Sequence, residues 1–258
     1  MGKYFDDIHE SWSSQLENTP CRTEDTETIK VLREGDVSCD NLVALGDALT
    51  KQLRYREAAE VYTTALREHP DNLHVLRLRA GRYLSTLQCS NAQEDLIRCR
   101  ELGGDASDIL YRLGLCSYFL GQYSKAAELW EECFPLCDEE MGIAVIYWHT
   151  IASYCLRKEP VLLKNFHTKM EVGHHTAYYA AVRVFAQTAG INEIAAQLEE
   201  EQEDLEYVIV LYGLCCYWRH KGDLEKFDEQ IEKLIARDGF WPCYAYLAAV
   251  NEKWALCS

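Results

Sequence analysis

The chain has 258 residues, 48% of them hydrophobic and 26% charged, a balance that allows a sizeable core and excludes a disordered or membrane-embedded class by composition. A formal net charge of -16 repels phosphate backbones and anionic lipid, so neither nucleic acid nor a membrane surface is an expected partner. The longest apolar runs, near 143–156 and 207–218, fall short of the roughly 20 residues a spanning helix requires, and "MGKYFDDIHES" lacks the flank and core of a secretory signal, which predicts a cytoplasmic chain.

Residues 1–38 differ from the rest. Phe5, Ile8, Trp12 and Leu16 recur at helical spacing, while "ENTPCRTEDTET" is acidic and poor in apolar residues; the pattern predicts a short amphipathic helix on an acidic tether. That helix either packs on the next helices as an N-terminal cap, or docks in a groove of this molecule or of a partner.

From Cys39 a 34-residue window reads as a helical hairpin written in side-chain volumes. Leu42, Leu45, Gly46 and Leu49 mark one face of a first helix, Ala58, Tyr62 and Ala65 one face of a second, and Pro70 ends it. Gly46 and Ala58 let the backbones approach, and Tyr62 fills the space beside them. The same slots return at Leu110, Leu113, Gly114, Gly121, Tyr123, Ala126 and Trp130, with Cys133 replacing the second-helix alanine. Residues 73–106 supply a weaker copy through Leu76, Ala80, Tyr83, Ala92, Leu96 and Cys99, so three contiguous units fill 39–140.

This pattern resembles the tetratricopeptide repeat, which it matches at Leu42, Leu45, Gly46, Tyr55, Ala58, Tyr62, Ala65 and Pro70. The resemblance implies an all-α fold, a right-handed α-solenoid of antiparallel helix pairs. Residues 141–240 read as degenerate units of the same kind. In the fourth, Ser153 and Tyr154 echo Ser117 and Tyr118, Phe166 echoes Trp130, and Pro160 opens a second helix. The fifth, about 176–204, keeps Gly190 and Ala195 but has Glu199 where an aromatic is expected; the sixth begins near Glu206 with Tyr212 and Gly213. Residues 241–258 predict a C-terminal capping helix with Leu247, Val250 and Trp254 on one face.

Chemistry is sparse. The twelve cysteines include no C-x-x-C and are expected as reduced thiols in small apolar slots. No phosphate loop, dinucleotide fingerprint, zinc-protease motif or nucleophile elbow is present. The best remaining group is His149, His167, His174 and His175 beside Glu171 and Cys155, and adjacent histidines in a turn are usually solvated. The run "EEEQEDLE" at 199–206 lacks the turn glycine and alternating ligands of a calcium loop. No catalytic residue, metal or cofactor is therefore expected.

Surface remains. The resemblance implies that the first helices of successive repeats line a concave groove, and the family's inward positions fall in the first three units on Asp40, Val43, Asp47, Lys51, His74, Arg77, Asp108, Tyr111, Arg112, Tyr118 and Phe119. In the later units they fall on Tyr147, Trp148, Ile151, Tyr154, Tyr207, Leu211, Tyr217 and Trp218. Lys51, Arg77 and Arg112 suit an acidic segment, unless Asp47 and Asp108 pair with them. The rings suit apolar side chains of a peptide, or are core instead; both readings stand. The chaperone-tail clamp of some relatives is not matched, since its slots hold Val43, Asp47, Leu78, Asp108 and Arg112, and only the arginine agrees. The sequence thus points to a noncatalytic adaptor for a protein or peptide. A homo-oligomeric scaffold is the alternative, with a small-molecule sensor or enzyme behind it.

Overall fold

A computed structural model describes residues 24–239 and 241–256, the side chains of 254–256 excepted. Among these residues there are thirteen α-helices and no strand, so the fold is an all-α helical repeat. Contacts divide the chain after Asp105 into two compact units.

The first unit holds α1 (Glu27–Glu34), α2 (Cys39–Lys51), α3 (Tyr55–Glu68), α4 (Leu73–Ser85) and α5 (Cys89–Glu101). The amphipathic stretch at Phe5 to Leu16 lies outside the described residues. Part of the expected tether is helical. Thr26 caps α1 by accepting from the Ile29 amide at 3.3 Å, Ile29 is fully buried, and Glu27 sits in the first turn where the helix dipole favours a negative charge. The Asp25 carboxylate accepts from Arg33 at 2.8 Å and Arg54 at 2.5 Å, and Glu57 on α3 accepts from the same two guanidiniums. This four-residue network ties α1 to the first hairpin, and its hydrogen bonds from Arg54 and Arg33 hold the Asp25 carboxyl below its usual range.

The α2–α3 and α4–α5 pairs close as the volume pattern predicts. A Cβ on Gly46 would lie 2.3 Å from the Tyr62 ring, so only glycine lets α2 approach α3 this closely. At the matching positions of the second pair, Ala80 and Leu96 are both fully buried: a larger first residue faces a smaller second one. That pair also carries a substitution in kind. Arg79 donates to both carboxylate oxygens of Asp95, at 2.8 and 2.7 Å, where the neighbouring repeats have leucine opposite valine or leucine.

The second unit holds α6 (Ala106–Phe119), α7 (Tyr123–Cys133), α8 (Glu139–Cys155), α9 (Thr176–Phe185), α10 (Ile191–Leu198), α11 (Asp204–His220), α12 (Leu224–Ile235) and α13 (Tyr244–Leu256). The α6–α7 pair repeats the first hairpin, with Gly114 facing the Trp130 indole so closely that a Cβ would sit 2.3 Å from Nε1. Beyond it the organisation changes. Every residue from Gly142 to Ser153 on α8, and from Val208 to Cys216 on α11, is buried, so both helices are covered on all sides, as apolar-all-round helices must be. Gly213 allows this, since a Cβ there would be 2.8 Å from both Ala181 and Tyr147. Helix α9 packs chiefly on α11, and α13 packs on α11, α12 and α6.

The second α-helix expected after Pro160 is absent. Residues Val161–Asn165 form a single 3-10 turn in which only Leu162 is buried, and an extended Phe166 follows. The chain then crosses the start of α8, where the Glu171 and His174 amides donate to the Glu139 and Glu140 carboxylates at 2.6 and 2.8 Å. With one buried apolar residue, the segment has no face with which to hold a longer helix.

The repeat is nevertheless legible in the backbone. Leu53, Leu87, Gly121, Arg157, Gln187 and Gly222 all adopt left-handed φ, between 53° and 84°. Each donates its amide three residues back, and the following residue donates five back, closing a Schellman turn after α2, α4, α6, α8, α9 and α11. The first three stand 34 residues apart, the period of the side-chain pattern.

Candidate interaction surface

The positions that the repeat assigns to the inner face have opposite fates in the two units. In the first unit Lys51, at the end of α2, and Arg77, on α4, are exposed, as are Asp40 and His74. Asp47 is half-buried and accepts the Tyr62 hydroxyl at 2.7 Å, which ties one of the acidic positions to the core. In the second unit Arg112 is bound to Asp108 one turn earlier at 2.9 Å, with both side chains largely covered.

The rings expected on the groove are mostly core. Tyr118 is 3% exposed, Phe119 2%, Tyr147 and Trp148 0%, and Trp218 9%. The Trp130 and Trp148 indoles stack 6.3 Å apart, Tyr118 meets Trp148 edge-on at 5.5 Å, and the Tyr147 hydroxyl donates to the Ile209 carbonyl at 2.7 Å. Tyr111 is half-buried, and its carbonyl accepts from the Trp130 indole at 3.2 Å. Tyr154 and Tyr217 keep partial exposure: Tyr154 stacks on His220 at 3.9 Å, and the Lys221 ammonium lies 5.1 Å from the Tyr217 ring. The cause of the burial is the packing of α8 and α11 against each other, together with α13.

What α13 brings is polar as well as apolar. Tyr118 on α6 and Tyr212 on α11 have their hydroxyls 2.6 Å apart, and both donate to Oε1 of Glu252 on α13, at 3.0 and 2.5 Å. The Arg219 guanidinium grips Oε2 of the same carboxylate, and Asn251 donates to the Phe119 carbonyl at 3.0 Å. Burial first, and the adjacent Glu252 carboxylate second, push the Tyr118 phenol well above its ordinary value; burial, then Cys216 and Glu252, do the same for Tyr212. Both phenols therefore stay protonated as donors. Sequence reasoning missed Glu252, Asn251 and Arg219. Their signal was two adjacent polar residues set into the apolar "YLAAV" helix, and an arginine closing the apolar run of α11.

The ten described cysteines are in no disulfide, and burial raises Cys155 to about 11 and Cys116 to about 12, so these two fill space as small apolar groups. His149 is buried with its Nε2 3.2 Å from Glu131, and His167 lies 3.3 Å from Glu139. Among the described residues no group of three or more histidine, cysteine or acidic side chains is placed to hold a metal ion, and no helix is long and apolar enough to cross a membrane.

Residues 108–134, the α6–α7 hairpin with its Gly114–Trp130 contact, match the family profile of the tetratricopeptide repeat. The chain contains a tetratricopeptide repeat. No curated protein matches its sequence. Among solved structures it is similar to YrrB, described as a TPR protein with an unusual peptide-binding site, at 14% identity and a TM-score of 0.46 over 88% of this chain and 98% of that one. In tetratricopeptide terms Lys51 and Phe119 share one slot two repeats apart, and Arg77 and Tyr111 share another one repeat apart.

Proposed function

We propose that the chain is a noncatalytic adaptor that binds a protein or peptide segment on the inner-helix face of its first unit. The observation that supports this reading is the contrast at shared repeat slots. Lys51 is exposed at the slot where Phe119 is buried, and the second unit's inner face is filled by its own α13. The face on α2 and α4 carries Asp40, Lys51, His74 and Arg77 as exposed side chains. Lys51 and Arg77 set two cations beside the exposed Asp40 on a chain of net charge -16, a pair that suits a partner carrying a carboxylate or an acidic segment.

The test is affinity capture from cell extract with the full chain and with Lys51→Glu/Arg77→Glu. The charge-reversed chain is expected to lose its main partner, and the salt dependence of the remaining binding to flatten. Equal recovery by both chains at every salt concentration would overturn the assignment of this face.

A further inference from the structure

We propose that Cys133 and Cys137 form a reversible oxidation site, at which a small disulfide is reduced to two thiols while the pair closes into a bond of its own. Their sulfurs lie 3.6 Å apart where α7 ends, so an approach of roughly 1.5 Å separates this contact from a disulfide. Cys133, the last residue of α7, is fully buried, and its thiol donates to the Ser107 carbonyl at 3.4 Å. Cys137 follows a single 3-10 turn, Phe134–Leu136, and is half-buried, with its thiol donating to the Cys133 carbonyl at 3.3 Å. The turn lies at the surface, where Leu136 is exposed.

Packing explains the first cysteine and not the second. The slot of Cys133 is held by Ala65 and Cys99 in the two preceding repeats. Cys99 is buried in the same way, and its thiol faces the Leu73 carbonyl at 3.9 Å, the counterpart of Ser107 one repeat earlier. A methyl group or one thiol is therefore all that the slot requires. The position of Cys137 is held by His69 and Gly103, residues with nothing in common, so the repeat makes no demand there. A second sulfur beside the first is a feature of this hairpin alone among the three.

The difference in burial orders the steps. Cys137 is the sulfur an oxidant can reach, and as a thiolate it attacks one sulfur of the small disulfide, forming a mixed disulfide and expelling the other half as a thiolate that takes up the proton Cys137 lost. Cys133 then gives up its proton and attacks the Cys137 sulfur, and the second half of the reagent leaves as a thiol. Two protein thiols are oxidised and one disulfide bond is reduced. The second step is fast because the attacking sulfur is already in contact, at an effective concentration no solution thiol matches. The ring so closed spans few residues, so the bond adds little to stability through chain entropy, and a dithiol reductant reopens it. The site lies in the second unit, and its failure leaves the proposal for the face on α2 and α4 untouched.

The experiment treats the reduced full chain with 2-hydroxyethyl disulfide, a neutral reagent that the exposed Asp138 and Glu139 beside Cys137 do not repel, then blocks remaining thiols and maps the products by mass spectrometry. Wild type is expected to lose two hydrogens and yield a Cys133–Cys137 linkage. Cys133→Ala, which restores the residue of the first repeat, should stall with at least about ten-fold more mixed disulfide on Cys137 than wild type retains. Cys137→Ser should leave Cys133 unmodified. Wild type that keeps the reagent on Cys137, or that links Cys137 to any other cysteine, would overturn the proposal, as would a Cys137→Ser chain whose Cys133 reacts at the rate of wild type. The wild-type map decides the question by itself if either variant does not fold.

Discussion

Gly46 and Tyr62 interlock: a methyl group on Gly46 would lie 2.3 Å from the tyrosine ring, whose hydroxyl is fixed by Asp47 at 2.7 Å. Neither partner is free to yield. Gly46→Ala is therefore expected to destabilise the first hairpin by roughly 1–3 kcal/mol through overpacking. Coupling it to Tyr62→Leu recreates the alanine–leucine pairing of the second repeat, Ala80 with Leu96. The double variant should lie above the sum of the two single losses in urea denaturation, a positive coupling energy of the size expected between touching residues. Strict additivity would mean that the pair does not set the distance between α2 and α3.

The Arg79–Asp95 pair makes a second test of slot equivalence. Asp95→Asn leaves a largely covered guanidinium without its carboxylate and is expected to cost about 3 kcal/mol, whereas Arg79→Leu with Asp95→Val restores the apolar pairing and should return to within about 1 kcal/mol of wild type. Chemical denaturation of the three chains distinguishes a repeat slot that tolerates either chemistry from one that requires the ion pair.

His149 gives the second unit a pH dependence of definite sign. Burial lowers its pKa below the ordinary 6.5, with Glu131 opposing in part, and the unfolded chain therefore binds the proton more readily. Stability should be complete above about pH 6.5 and fall as the pH drops below it, until the pH passes the folded value. His220 acts in the same direction. Thermal midpoints measured from pH 7.5 to 5 should decline less steeply in His149→Gln than in wild type; parallel curves would assign the slope elsewhere.

These Schellman turns predict opposite outcomes for two kinds of residue. Arg157 and Gln187 are exposed and left-handed, so Arg157→Gly or Gln187→Gly should raise stability by about 0.5–1 kcal/mol by relieving the side-chain clash. Leu87 shares the backbone conformation, but its side chain is buried. Leu87→Gly should lower stability, since about 1.5–3 kcal/mol of apolar burial is lost. Differential scanning calorimetry reads both signs.

The hairpins were legible because their spacing depends on local volumes, and glycine opposite tyrosine or tryptophan states that distance within about twenty residues of chain. The left-handed turns were less so, since Leu53, Leu87, Arg157 and Gln187 lack the glycine that marks the motif at Gly121 and Gly222. The rings were harder. An inner-face rule assumes one layer of helices, but the apolar runs in α8 and α11 have no polar stripe, and a helix without one must be covered all round. That signal places Tyr147 and Trp148 in the core. The Glu252 seat was illegible for a different reason: it joins Tyr118 to a residue 134 positions away, and no periodicity spans that distance. In the stretch after Pro160, capping preference favoured a helix start, and the shortage of buried side chains beyond Leu162 decided against it.

The functional claim is that partners meet the face of α2 and α4. Its most direct measurement is site-specific photo-crosslinking in cell extract, with a photoreactive side chain placed in turn at the exposed positions Asp40, His74 and, on α3, Glu60. Crosslinks to a common partner from Asp40 and His74 and none from Glu60 are the predicted result. A partner captured from Glu60 alone would contradict it.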